Sequence, residues 1–162
     1  MRRELLLPVA IGIVIVALAA AVVLRINLGS HMVLDGSFQS VRTVAIDGAS
    51  AMAVDFRLSN PASYPFVVRT VSLIAEIGGK PVEGAVAADV DAKQLIDYYP
   101  AIGPKYNDTL RAKDRINPGQ TMDRMLAARF EVPEAKLQAR TRLTLRIEEV
   151  DGQVTEIVEK KR

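Results

Sequence analysis

Tyr98, Tyr99 and Tyr106 are three of the four tyrosines in this chain, and Asp97 and Pro100 stand among them. No other stretch gathers as many side chains able to recognise or react. A tyrosine joins a large apolar ring to a polar tip, which suits a loop that holds a partner. The same residues allow a second chemistry, an enzyme or enzyme subunit that uses the Asp97 and Tyr98 side chains. The plainest alternative is structural: Tyr98 and Leu95 plug one end of the fold.

Other chemistry is limited by composition. The chain has no cysteine, so disulfides, thiolate metal sites, a Cys nucleophile and a lipoprotein anchor are excluded. Its one histidine, His31, cannot build a multi-His metal site, and a Ser-His-Asp triad would have to reach back to it from far along the chain. Asp89, Asp91 and Asp97 could offer carboxylates to calcium, yet their spacing is not that of an EF-hand loop, and Asp91 serves better as a helix cap. Met122 and Met125 carry soft sulfurs without a Cys or a second His beside them. We therefore expect no metal, no cofactor, no small-molecule substrate and no catalysis.

Charge points away from nucleic acid. Arg2, Arg3 and Arg25, against Glu4, account for the whole net charge of +2 and leave residues 26–162 neutral. A neutral domain does not neutralise many phosphates. Arg111, Lys113 and Arg115 share one parity and read as a solvated strand face. Asp55, two residues before Arg57, reads as ordinary surface charge.

The elements that must position these residues begin after a long apolar run. "LLLPVAIGIVIVALAAAVVL", Leu5 to Leu24, has no charged or hydrogen-bonding side chain. Twenty helical residues at 1.5 Å each match a hydrocarbon layer of roughly 30 Å. Thirteen are Leu, Ile or Val, favouring insertion by very roughly 4–8 kcal/mol. Ala17-Leu18-Ala19 offers a peptidase small residues, but Val22 to Leu24 prolong the run beyond a usual signal core. An uncleaved anchor is expected, with Arg2 and Arg3 holding the N-terminus inside and the remainder outside the cytoplasm. "GSHM", Gly29 to Met32, has the look of a purification-tag scar and reads as flexible linker, His31 with it.

Beyond the linker the hydropathy alternates. Met52, Val54, Phe56 and Leu58 share one parity; so do Leu143, Leu145 and Ile147, and so do Met122, Leu126, Ala128, Phe130 and Val132. Side chains two apart point to one face of a strand, so each segment has a dry side and a wet side. Asp47-Gly48, Asn60-Pro61, Gly78-Gly79, Pro118-Gly119 and Asp151-Gly152 punctuate the strands. "DAKQLIDYYP" breaks the pattern: Asp91 as N-cap, Gln94 at the capping-box position and Leu95, Tyr98 and Tyr99 at helical spacing predict a short helix ended by Pro100, then a long loop through Asp108.

"VDFRLSNPASYPFVVRTVSL", Val54 to Leu73, resembles the late embryogenesis abundant type 2 domain, also called the water stress and hypersensitive response (WHy) domain. "INPGQT" at Ile116 to Thr121 and "FEVP" at Phe130 to Pro133 are similar to its Pro-Gly turn and final strands. The resemblance spans roughly 37–158. It implies a fibronectin-like sandwich behind a membrane anchor and a protective or accessory role, and it assigns no active residue.

The expectation is thus an all-β protein, an immunoglobulin or fibronectin III-like antiparallel sandwich with one short helix, preceded by a single N-terminal transmembrane helix. Residues 1–25 are the anchor, 26–36 a juxtamembrane linker, 37–159 the sandwich and 160–162 a tail. Function is expected to be association with a protein partner in the envelope, through a loop of Asp97, Tyr98, Tyr99 and Tyr106, in a stress-protective or accessory role or as a structural spacer.

Overall fold

The computed structural model describes residue 16 and residues 34–160. The readings made on Leu5 to Leu24, but for residue 16, and on Gly29 to Met32 lie outside the described residues. Among the described residues no helix is long and apolar enough to cross a membrane. The elements run β1 (Asp35–Ile46), β2 (Ala49–Ser59), β3 (Phe66–Ile77), β4 (Lys80–Val86), α1 (Asp89–Tyr98), a 3-10 turn (Pro100–Ile102), β5 (Arg115–Ile116), β6 (Thr121–Phe130), α2 (Glu134–Gln138), β7 (Arg142–Glu149) and β8 (Val154–Val158).

Alternation makes the core. Met52, Val54, Phe56 and Leu58 of β2 are fully buried, as are Leu143, Leu145 and Ile147 of β7, and both sets join one cluster with Phe66, Leu73, Leu126 and Phe130. The hydrogen-bonded order is β1-β2-β6-β4-β3-β7-β8, every named pairing antiparallel, with β5 attached to β3. Strand β4 carries the path from one layer to the other. Lys80 to Gly84 pair with β3, whereas Ala85 and Val86 pair with β6. Gly84 sits at that switch, and a Cβ there would lie 2.6 Å from the Phe130 ring, so only glycine lets the core phenylalanine close the corner. The result is an antiparallel β-sandwich. Its two path ends approach near the chain entry, where the Leu34 N–H donates to Thr155 Oγ1. At β8's end, Arg140 holds Glu159 at 2.7 Å.

The outer side of β2 is not wet. Ala49, Ala51 and Ala53 are buried against Met125 and Ala127 of β6 and, from above, Ala92, Ile96 and Ile102. A row of alanines leaves room for a helix to lie close, so α1 and the 3-10 turn form a partial third layer over β1, β2 and β6.

Several expectations are corrected. Strand β1 starts at Asp35, inside the expected linker, and Leu34 is already buried. Asp91 is not the N-cap: α1 begins at Asp89, and Ala88 caps it without a side-chain bond. The helix starts there because Ala87 N–H is still tied to Ala127 O as the chain leaves the sheet; Asp89 and Asp91 then lie in the first turn, favourable to the helix dipole. Arg111 to Asp114 is a turn rather than a strand face, and of the three cations only Arg115 lies in a strand, β5: Asp114 N–H donates to Arg111 O and Asp114 Oδ2 accepts from Arg111 N–H. The second helix, α2, was not foreseen.

Candidate functional site

The α1 helix fixes the first part of the tyrosine cluster. Ala92 and Ile96 face the alanine row, with Leu95 and Tyr99 partly buried beside them. That stripe turns Tyr98 outward to 78 % exposure. The expectation that Tyr98 plugs the fold together with Leu95 is therefore wrong for Tyr98; Tyr99 does the packing and holds Tyr98 edge-on, ring centroids 5.0 Å apart. Asp97 accepts from Lys93 at 2.6 Å, one helical turn back, and its carboxylate holds the ammonium above the usual lysine range. Asp91, Gln94, Leu95, Asp97 and Tyr98 line an open depression of about 610 Å³.

The second part hangs on a polar hub that the sequence reading missed. Asp55 is 3 % exposed, contrary to its reading as surface charge. Its carboxylate accepts from Ser40 Oγ at 2.8 Å, Arg42 Nη2 at 2.7 Å and Asn107 Nδ2 at 2.9 Å. A buried carboxylate is tolerable when its oxygens are supplied with donors in this way. Arg42 extends the hub into the loop: Nη1 donates to Ile102 O at 2.8 Å and Pro104 O at 2.9 Å, and the guanidinium lies 4.9 Å from the centre of the Tyr106 ring. Tyr106 remains 67 % exposed.

The sequence cluster therefore divides. Asp97 and Tyr98 share the helix-face depression, Tyr99 is packing, and Tyr106 stands on Arg42 at β1. Two of the three carboxylates weighed for calcium are otherwise engaged: Asp97 accepts from Lys93, and Asp89 accepts from Lys105 at 2.6 Å, which holds it below the usual carboxylate range. Among the described residues no three His, Asp or Glu side chains gather as a metal site would need. One sequence signal pointed to Asp55, and none to Arg42. The odd positions of β2 read Ala49, Ala51, Ala53, Asp55, and a run of small residues ending in an acid is a row prepared for cover, not a solvated face.

No family model matches the chain, and no curated protein matches it. Among solved structures it is similar to an uncharacterised β-sandwich protein from Clostridium difficile 630, at 9 % identity over 79 % of this chain and 86 % of that one, with a TM-score of 0.42. It is also similar to the archaellum periplasmic stator protein FlaG from Sulfolobus acidocaldarius, at 8 % identity over 78 % of this chain and 99 % of that one, with a TM-score of 0.37. No residue role passes from either.

Proposed function

We propose that this chain is a single-span membrane protein whose sandwich lies outside the cytoplasm and acts without catalysis, by binding a protein partner through the outward face of α1 and Tyr106. The observation that carries this reading is the pair of tyrosines left open on a well-backed framework: Tyr98 on the helix that covers a buried alanine row, and Tyr106 above a half-buried Arg42 paired with a buried Asp55. Rigid aromatic side chains with exposed rings offer contact area at small entropic cost. The apolar run from Leu5 to Leu24 supports the anchor and the address. The strand order β1-β2-β6 facing β4-β3-β7-β8 supports the immunoglobulin or fibronectin III-like topology. The late embryogenesis abundant type 2 resemblance supports a protective or accessory role in the envelope.

The test is photocrosslinking in intact cells, with a photoreactive residue replacing Tyr98, Tyr106 or, as control, the exposed Lys80 at the start of β4 in the full chain. Discrete protein adducts from positions 98 and 106 and none from 80 are expected. The reading is abandoned if all three positions give the same adducts, or if none does.

A further inference from the structure

Resting on that reading of the surface, we infer that Arg42, oriented by Asp55, is the positioning residue that sets the loop Gly103 to Asp108 and so presents Tyr106. Two kinds of anchoring differ across the cluster. Helix α1 and the 3-10 turn are held by buried apolar side chains, Ala92, Ile96 and Ile102. From Gly103 to Asp108 no side chain is buried, so the hydrophobic effect does not order this segment. Its path depends on polar bonds, and Arg42 supplies the densest set: two carbonyls, the Asp55 carboxylate and the Tyr106 ring face from one guanidinium. Asn107 on Asp55, Lys105 on Asp89, Gly103 N–H on Pro100 O and Met125 N–H on Asp108 O add a bond each.

The geometry is specific to arginine. A planar guanidinium can hold a carboxylate on one amino group and carbonyls on the other while its face meets an aromatic ring; a lysine ammonium is a point charge with no such plane. Gly103 belongs to the same device. Its φ of 84° favours glycine, and a Cβ there would lie 2.7 Å from Arg42 Nη1. A side chain at 103 therefore strains the backbone and pushes the guanidinium off its acceptors.

The experiment uses the full chain in detergent and, for the second arm, in cells. Amide hydrogen exchange is followed in wild type, Arg42→Lys and Gly103→Ala, and the crosslinks from positions 98 and 106 are repeated in each background. In both variants, exchange of the two amides that report on this loop, Gly103 (donating to Pro100 O) and Met125 (donating to Asp108 O), is expected to quicken by at least about tenfold, as loss of charge-assisted bonds implies, with the other β2 and β6 amides unchanged. The crosslink from 106 should fall and that from 98 persist. Unchanged loop exchange in Arg42→Lys overturns the inference. So does equal quickening through β2 and β6, which marks a general loss of stability, and so does a loosened loop that leaves the 106 crosslink intact. If wild type crosslinks from neither position, the binding reading fails, and loop exchange alone then decides whether Arg42 sets the loop.

Discussion

The two faces of β2 are both buried, yet they are made of different residues for different neighbours. The inner face, Met52, Val54, Phe56 and Leu58, meets the opposite layer, where large side chains must span the gap between sheets. The outer face, Ala49, Ala51, Ala53 and Asp55, meets a helix lying close and a loop tied by polar bonds. Burial is nearly the same; what differs is the thickness of the space to be filled and the kind of bond that fills it. Large residues mark a core that the strand builds with other strands, and small ones mark a surface reserved for a later segment of the chain.

If the inner face carries most of the stability, Phe56→Ala should have the largest effect. A fully buried phenylalanine removed from the core costs about 3–5 kcal/mol, read as a lower urea midpoint at unchanged slope. A loss under about 1 kcal/mol would make the two faces equivalent and break the comparison.

The outer face should fail in the opposite manner, by crowding. Ala53→Leu puts bulk where α1 lies close and should cost about 1–3 kcal/mol, with faster hydrogen exchange confined to α1 and the following loop. If exchange rises instead in β3 and β7, the helix is not what the alanine row accommodates.

A smaller effect sharpens the polar side of the comparison. Glu149 is 2 % exposed, and its Oε2 has no hydrogen-bond partner among the described residues, unlike the fully supplied Asp55. Burial pushes its carboxyl above the ordinary glutamate range, with Asp151 adding to the rise and a backbone hydrogen bond with Val67 opposing it. For an acid whose folded value is raised, the stabilising contribution is fully present below the unfolded value and is lost as pH rises through the folded one. Glu149→Gln should therefore gain on wild type as pH rises above the ordinary glutamate value of about 4.3, measured as the difference in urea midpoint at acid and at neutral pH. A constant difference would mean that the Glu149 carboxylate is already compensated.

The smallest effect belongs to the candidate site. Tyr98→Ala should change stability by no more than about 0.5 kcal/mol, since the ring is mostly exposed, while abolishing partner capture. A large loss of stability would return Tyr98 to the core.

What the sequence alone determined is the inner half of the molecule. Strict alternation in β2 and β7 marked the residues that share a face, and the glycine and proline pairs marked the turns between strands. Period two states only that residues point the same way, so the odd positions of β2 were read as wet and Asp55 as surface charge. Tertiary structure decided otherwise, because a later segment covers that face. Arg42 is 13 positions from Asp55 and 60 from Ile102, so no local pattern brings them together. The exposure of Tyr98 rather than Tyr99 was settled by the same packing: the alanine row selects which helical stripe it buries, and the helix turns its opposite side to the solvent.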